Sequence, residues 1–243
     1  MKSKNLLALS VLVPGLMISG IITAAGGAGG AEGKAELEKA LTLKPDVENG
    51  MDIYEVCAGC HLLEGWGTAD GNYPQLAGQL AGVTIKQMAD IRGGNRDNPT
   101  MYPFTLDRAI GGGPQGLADV AGYIATLKMI PENGVGKGEP GSEEYKHGEK
   151  LYKENCTDCH GAKGEGHKEK NYPRIAGQHY KYMVRQFEMI RDGKRRNANE
   201  DMVKQIKGFS EKDMQAVINY TSRLPVPAKD KAPSMDYKNP DYD

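Results

Sequence analysis

Two short motifs place a pair of cysteines directly before a histidine, and together they use every cysteine in the chain. The motifs read CAGCH at residues 57–61 and CTDCH at residues 156–160. Two thiols separated by two residues can add to the vinyl groups at one edge of a porphyrin, and the next side chain offers an imidazole nitrogen to the iron. The pattern therefore predicts two covalent haem c groups, with attachment through Cys57, Cys60, Cys156 and Cys159 and proximal iron ligation by His61 and His160.

Three other kinds of site use cysteines at this spacing, and each explains less of the pattern. A thioredoxin-like redox couple needs a strand–helix–strand context that the sequence does not show. A structural zinc ion could take thiolates and imidazoles, but it would tie together two motifs that each lead a separate repeat. Disulfides suit an exported protein but leave both histidines without a role. We therefore interpret the motifs as haem attachment sites.

The two motifs are part of a repeat that covers most of the chain at an offset of 99 residues. After each motif come a glycine-containing polar loop, an octapeptide (NYPQLAGQ at 72–79, NYPRIAGQ at 171–178), a helical pattern and a basic, asparagine-containing turn. Each half closes on an amphipathic helix, and Ser210 and Asp213 stand at capping-box spacing before the second of these. No strand pattern competes, so the sequence predicts an all-α fold in two tandem domains.

Composition divides the chain into six segments. The N-terminus has the pattern of an export signal, with Lys2 and Lys4 followed by an apolar run over 6–22 and a stretch of small residues. The signal is either cleaved or kept as a membrane anchor, and in both cases we expect a periplasmic location. The helices that lead into the CXXCH motifs are expected to start near Gly50 and Gly148. The predicted segments are a signal peptide or N-terminal anchor (1–25), an N-terminal extension with one short helix (26–49), a first haem domain (50–130), a glycine- and proline-rich linker (131–143), a second haem domain (144–227) and a disordered tail (228–243).

The second axial iron ligand is predicted to be a methionine in each half. Met101 and Met202 lie 40 and 42 residues after their histidines, each after a basic, asparagine-containing turn, in a stretch that we expect to be irregular. A flexible loop can bring a thioether over the distal face of a haem, whereas the other candidate methionines fall in or at the ends of amphipathic helices and are expected to pack. Methionine in this position raises the reduction potential relative to histidine.

Composition limits the rest of the interpretation. Only three Phe and one Trp are available to build two small cores, so we expect the flat apolar haem to complete each core. A net charge of −1 gives no support for a nucleic-acid-binding protein.

The histidines outside the motifs, His147, His167 and His179, have no counterpart in the other half, and we interpret them as solvated or locally hydrogen-bonded side chains.

The chain resembles the cytochrome c4 family of dihaem periplasmic electron carriers. The resemblance spans about Gly50 to Leu224 and rests on the two CXXCH motifs, the two octapeptides and the two loop methionines. It implies two tandem class I cytochrome c domains, related by a pseudo-twofold axis, with the propionate edges of their haems close together. It also implies that the carbonyl oxygens of Pro74 and Pro173 accept the Nδ1 protons of the proximal histidines, which orients the rings and raises ligand basicity.

The chain departs from the family pattern in its N-terminal extension, its tail and one loop, where the first half carries AIGGGPQG and the second has IKGF. Charge also differs between the halves. Residues 50–130 contain 5 Lys and Arg against 8 Asp and Glu, whereas residues 144–224 contain 17 against 12. We expect the two halves to dock different partners, with the basic half steering towards an acidic one.

These expectations describe an exported carrier rather than an enzyme. It would move single electrons from a donor dehydrogenase or quinol-oxidising complex to a terminal oxidase or reductase, with redox proteins as partners and no small-molecule substrate. Membrane association, through the N-terminus or a membrane oxidase, is an alternative to a free protein. Two further alternatives remain: an electron-transfer subunit of a larger dehydrogenase complex, and a dihaem enzyme such as a thiosulfate dehydrogenase or peroxidase. Dihaem thiosulfate dehydrogenases ligate the catalytic iron through a cysteine, and no fifth cysteine exists here.

Overall fold

Helices provide nearly all of the regular structure. The computed structural model describes residues 31–242, so the predictions for residues 1–30 lie outside the described residues. Within residues 31–242 no β-strand forms, and two isolated bridges are the only strand-like pairings, which confirms the all-α prediction. No helix in this part of the chain combines the length and the apolar character needed to cross a bilayer. The helices are α1 (Ala31–Thr42), α2 (Val47–His61), α3 (Ala81–Arg92), α4 (Tyr102–Thr105), α5 (Asp107–Ile110), α6 (Pro114–Thr126), α7 (Glu143–Asn155), α8 (Thr157–His160), α9 (Tyr180–Arg191), α10 (Glu200–Ile206) and α11 (Glu211–Ser222), followed by 3₁₀-helices at Ala228–Asp230 and Pro240–Tyr242.

In each half, the long helix that leads into the CXXCH motif crosses the helix that closes the half. α2 packs against α6, α7 packs against α11, and a glycine lies at each crossing. A Cβ on Gly50 would lie 2.2 Å from the carbonyl oxygen of Asp119, and one on Gly148 would lie 2.0 Å from that of Ala216. Because no Cβ can approach a backbone oxygen so closely, the two glycines allow the helices to pack at this distance and thereby set where the motifs lie.

Both of these leading helices begin earlier than the sequence predicts. Asp46 caps α2 by accepting from two backbone N–H groups, and Ser142 caps α7 by accepting from one. The two crossing glycines therefore lie inside their helices, where they serve the close packing rather than a helix start. At α11 the predicted capping box between Ser210 and Asp213 is confirmed.

Two separate clusters of buried apolar residues form the cores of the two halves, one built mainly on α2, α3 and α6 and the other on α7, α9 and α11. A fully buried tyrosine lies at the same place in each, Tyr54 in the first and Tyr152 in the second. Their hydroxyl groups donate to the carbonyl oxygens of Leu62 at 2.8 Å and Gly161 at 2.7 Å, the residues that directly follow the motif histidines. Each core thus holds the chain immediately after its own motif.

The N-terminal extension forms a longer helix than predicted and covers the first core. α1 packs against α3 and α6, and Ala40 of α1 is fully buried. Glu36 forms an ion pair with Arg92 at the end of α3, and Arg92 also donates to the carbonyl oxygen of Thr105. The described part of the extension is therefore packed as part of the first half.

The prediction of a disordered tail is wrong for residues 228–242. This C-terminal segment returns from the second half to the first and packs on its core, where Ala232 and Asn239 are buried. The N–H of Ala232 donates to the carbonyl oxygen of Met129 at 2.9 Å, and Nδ2 of Asn239 donates to that of Leu63 at 2.9 Å. A composition rich in proline and aspartate suggests disorder, but contacts with a distant part of the chain order the segment.

Candidate haem-binding sites

The proximal histidines end helices and bind the octapeptide loops. His61 is the last residue of α2, and His160 is the last residue of α8. Nδ1 of His61 lies 2.9 Å from the carbonyl oxygen of Pro74, and Nδ1 of His160 lies 2.9 Å from that of Pro173. A carbonyl oxygen can only accept a hydrogen bond, so Nδ1 carries the proton in both rings and Nε2 keeps its lone pair.

The second ring nitrogen is suited to bind a metal. Both histidines are buried, and burial lowers the pKa of both imidazoles despite the opposing bond to the proline carbonyl, which favours the neutral form. Nε2 of His61 is buried and has no hydrogen-bond partner among the described residues. A buried unpaired nitrogen is costly unless a further group binds it, and neutral imidazole is a common metal ligand. The first site therefore fits haem iron on its own chemistry, and the second repeats its proline bond.

The cysteine thiols lie beside these histidines on the same helical turns. Cys57 and Cys60 belong to the end of α2, while Cys156 caps α8 and Cys159 lies within it. All four are half-buried free thiols. Burial, with a smaller contribution from the second thiol of each pair, raises the pKa of Cys57 and Cys156 to about 12. Residues three apart share one face of a helix, so each pair can meet one edge of a haem.

A pair of glycines after each motif holds the octapeptide against the histidine, and sequence reasoning missed them. The N–H of Gly67 donates to the carbonyl oxygen of His61 at 2.9 Å, while the carbonyl of Gly65 accepts from the octapeptide backbone. Gly67 has a φ of 66°, and a Cβ there would lie 2.4 Å from the oxygen of Pro74. The second half repeats these bonds through its own G-x-G at 164–166. The recurrence of G-x-G at the same distance from both motifs is the signal that could have identified them.

Both predicted methionine ligands lie in turns that are capped by an asparagine three residues earlier. The N–H of Met101 donates to Oδ1 of Asn98 at 3.2 Å, and that of Met202 donates to Oδ1 of Asn199 at 3.3 Å. Met101 directly precedes α4, but Met202 lies inside α10, so the expectation of an irregular stretch is wrong there because Asn199 starts a helix. Both side chains are half-buried, and their roles as iron ligands stay a prediction. The repeated N-x-x-M is a signal that sequence reasoning did not use.

The two octapeptides also meet each other across the boundary between the halves. Gln178 donates through Nε2 to the carbonyl oxygen of Gln75 at 2.9 Å and accepts through Oε1 from its N–H at 3.0 Å. Gln79 makes the equivalent pair of bonds with the backbone of Arg174, at 2.9 and 3.0 Å. The last residue of each octapeptide thus binds the residue that follows the proline of the other, a reciprocal arrangement that needs both copies.

Two arginines from the basic turns meet at the same boundary. Arg96 and Arg195 both donate to Gln87 and Gln186, at distances between 2.8 and 3.4 Å. Burial and the nearby charge of Arg96 lower the pKa of Arg195 to about 10. Both side chains are half-buried, and like charges held close together are costly, so the pair favours an anionic group at this place. Arg and Gln recur at an offset of 99 residues, which could have identified the cluster.

The remaining histidines differ from one another. Nε2 of His147 lies 2.6 Å from a carboxylate oxygen of Asp213, and Nδ1 of His167 lies 3.2 Å from one of Glu169, so each histidine contacts a carboxylate of its own half. His179 is instead fully buried, and its Nε2 lies 2.6 Å from the carbonyl oxygen of Trp66 in the other half. The interpretation of His179 as solvated or locally bonded is therefore wrong, because its ring joins the two halves.

Comparison with known proteins places the chain among c-type cytochromes. The Cytochrome c family model matches residues 145–224. A cytochrome c4 of Azotobacter vinelandii is 32% identical over 232 residues, which cover 89% of this chain and 98% of the relative. A thiosulfate dehydrogenase electron acceptor of Stutzerimonas stutzeri is 31% identical over 205 residues, which cover 76% of this chain and 90% of that protein.

A solved structure shows the same fold. The crystal structure of reduced recombinant cytochrome c4 from Pseudomonas stutzeri matches with a TM-score of 0.63 at 30% identity, over 75% of this chain and 100% of that chain. Cytochromes c hold haem covalently, and the two cysteine pairs of this chain fit two such attachment sites. The chain belongs to the cytochrome c4 family of dihaem electron-transfer cytochromes, and it is built as two class I cytochrome c units in tandem.

Proposed function

We propose that the chain is a periplasmic electron carrier with one haem in the domain over residues 50–130 and one in the domain over residues 144–227. It takes single electrons from a dehydrogenase or quinol-oxidising complex and passes them to a terminal oxidase or reductase. The observation that supports this proposal most strongly is the matched pair of buried histidines, each bonded through Nδ1 to a proline carbonyl and left with Nε2 for iron. The cysteines of each CXXCH motif would hold the haem beside them.

In this proposal His61 and Met101 would bind the iron of the first haem, and His160 and Met202 would bind that of the second. Bound haem supplies a one-electron iron couple. The proline carbonyls keep the imidazole rings in one orientation and make them better donors. With a histidine and a methionine bound, the iron would have no open position for a substrate and its ligand set would not need to rearrange on reduction. This residue set favours electron transfer over catalysis.

The paired arginines fit the carboxylates that haem carries. Arg96 and Arg195 are held at the domain boundary by the amide oxygens of Gln87 and Gln186. A guanidinium group bonds more strongly to a carboxylate than to a neutral amide oxygen, and carboxylates would also relieve the repulsion between the two half-buried charges. We therefore propose that this cluster binds propionate groups from both haems.

An anaerobic reductive titration of the mature holoprotein tests the carrier function. Because both irons have complete ligand sets in this proposal, we expect two one-electron equivalents per chain and low-spin spectra before and after reduction. We expect no turnover of added peroxide or thiosulfate without a partner protein. A high-spin component would show that one iron has an open position and would favour the enzymatic alternative.

The charge difference between the domains predicts salt-dependent docking. We propose that an acidic redox partner docks on the second domain, where residues 144–224 carry 17 Lys and Arg against 12 Asp and Glu. The exposed Lys168 and Lys170 follow the second motif closely in the chain. Salt screens such exposed charges, with a Debye length of about 8 Å at physiological ionic strength. Stopped-flow measurements should therefore show association rates that fall severalfold as the ionic strength rises towards and beyond the physiological value.

Matched charge reversals separate this docking from general electrostatics. Lys168→Glu with Lys170→Glu should slow association with the acidic partner, whereas Lys44→Glu, an exposed site on the N-terminal extension, should change it little. Association rates that ignore both ionic strength and the double reversal would contradict the proposed docking surface.

A relative's description favours a second candidate. The protein of Stutzerimonas stutzeri is a thiosulfate dehydrogenase electron acceptor, so this chain could serve one dedicated dehydrogenase or form a subunit of its complex. Native mass spectrometry of the tagged chain, isolated from its own cells, distinguishes the two candidates. A stoichiometric complex with a dehydrogenase supports the second, and a free chain that several donors reduce supports the first.

A further inference from the structure

One peptide group in each half links the proximal histidine to the other half. The peptide between Pro74 and Gln75 has a carbonyl that accepts from Nδ1 of His61 at 2.9 Å and an N–H that donates to Oε1 of Gln178 at 3.0 Å. The same peptide group therefore touches the expected iron ligand of the first half on one side and a side chain of the second half on the other.

The second half contains the mirror arrangement. The peptide between Pro173 and Arg174 accepts from Nδ1 of His160 at 2.9 Å through its carbonyl, and its N–H donates to Oε1 of Gln79 at 3.0 Å. The chain therefore holds two series of two hydrogen bonds each, and each series begins at a histidine of one half and ends at a glutamine of the other.

Both glutamines are held in the orientation that this linkage requires. Oε1 of Gln178 also accepts from the N–H of His179 at 3.0 Å, and Oε1 of Gln79 also accepts from that of Leu80 at 3.0 Å. Each Nε2 faces a backbone carbonyl of the opposite half. Two N–H donors contact each amide oxygen and one carbonyl acceptor faces each amide nitrogen, so only one orientation of the amide satisfies these bonds. The oxygen that accepts from the peptide N–H is therefore held in place independently of the histidine.

Peptide resonance carries an effect from the N–H to the carbonyl. A hydrogen bond donated by the N–H polarises the peptide and makes its carbonyl oxygen a stronger acceptor, an effect of roughly 10–30% per bond in a series. A stronger acceptor at Nδ1 raises the basicity of the imidazole and its donation to a bound metal. The glutamine of one half thus acts on the ligand strength of the histidine in the other.

We propose that Gln178 and Gln79 are positioning residues that tune the haem of the opposite domain, Gln178 acting on the first haem through His61 and Gln79 on the second through His160. The proposal rests on the histidine ligation stated under the proposed function. The proposal also explains why the octapeptide is duplicated. The proline of each copy bonds the histidine of the same half, and the glutamine of each copy supports the histidine of the opposite half.

The proposal predicts a crossed effect in the full-length holoprotein. Gln178→Leu removes the acceptor from Gln75, weakens the Nδ1 bond of His61 and so raises the potential of the first haem. We expect a change of up to about tenfold in its reduction equilibrium constant, ~59 mV for one electron. Gln79→Leu, the matched control, should raise the potential of the second haem instead. Each variant should leave the haem of its own domain unchanged.

Two measurements are needed, one of which does not depend on electron transfer. Redox titration followed by NMR gives both potentials, and the signals of the expected ligands His61 and His160 identify the two haems. Hydrogen exchange of the backbone amides reports the bond itself. Gln178→Leu should speed exchange at Gln75 and leave Arg174 protected, and Gln79→Leu should do the reverse.

The outcomes separate tuning from a loosened interface. A shift confined to the opposite haem supports the proposal, whereas equal shifts at both haems, a shift at the haem of the same domain, or no shift would overturn it. Gln178→Glu provides a second variant, because it keeps an oxygen acceptor for Gln75. It should keep that amide protected, and a raised potential of the first haem in this variant would also overturn the proposal. Spectra without two histidine-ligated haems would instead overturn the proposed function on which this proposal rests.

Discussion

Replacing Met101 by alanine is expected to lower the reduction potential of the first haem and to remove half of the far-red sulfur-to-iron absorption of the oxidised protein. Met202→Ala should do the same at the second haem. A thioether ligand favours ferrous iron, so its loss favours the ferric state. Axial ligands tune haem over roughly 0.8 V, and we expect a fall of about 0.1–0.3 V. A spectroelectrochemical titration of each variant measures both changes.

Buried methionines in the helices provide the controls. Met88 in α3 and Met183 in α9 lie in the two cores, and leucine at either place should leave the potentials and the far-red band unchanged, because this exchange conserves volume. Met101→His should keep the first haem low-spin and lower its potential. A full far-red band in either alanine variant would show that a different residue binds that iron.

Removing the C-terminal segment is expected to destabilise the first domain by about 2–4 kcal/mol. Residues 228–242 bury Ala232 and Asn239 against that domain, and each hydrogen bond they make contributes about 1 kcal/mol, partly offset by the entropy of ordering the segment. Urea unfolding, followed by the fluorescence of Trp66 in the first domain, measures the loss. The bonded backbone groups of the first domain are those of Met51, Leu63 and Met129.

Point variants in the same segment test whether the effect comes from packing. Asn239→Ala removes a buried side chain that donates to the carbonyl oxygen of Leu63 and to the hydroxyl of Tyr123, both at 2.9 Å, and should cost about 1–3 kcal/mol. Asp236→Ala changes an exposed side chain of the same segment and should stay within about 0.5 kcal/mol of the wild type. Equal stability of the truncated and complete chains would contradict the packing described here.

The fold class and the proximal side of each site could be predicted because they depend on local patterns. The CXXCH spacing places two thiols and an imidazole on one helical turn whatever the rest of the chain does. The capping box at Ser210 and Asp213 is equally local, since its partners are three residues apart. The all-α prediction followed from helical periodicity without competing strand patterns, and the structure confirms it.

Features that depend on contacts between the halves could not be predicted in this way. The repeated octapeptide marks Gln79 and Gln178, but the sequence does not show that Gln178 meets the backbone of Gln75. His179 has the same problem, because its partner is the carbonyl of Trp66 far along the chain. The C-terminal segment has the composition of a disordered tail, yet burial of Asn239 in the first domain orders it. Composition predicts how a segment behaves in isolation, whereas contacts with the other half determine the structure of these residues.

The far-red absorbance of the oxidised wild-type protein, measured per haem, tests the central claim that a histidine and a methionine bind each iron. We expect an intensity that corresponds to two methionine-ligated haems per chain, with no high-spin component. Half of that intensity would mean that Met101 or Met202 is not a ligand, and a low-spin spectrum without the band would contradict methionine ligation at both haems.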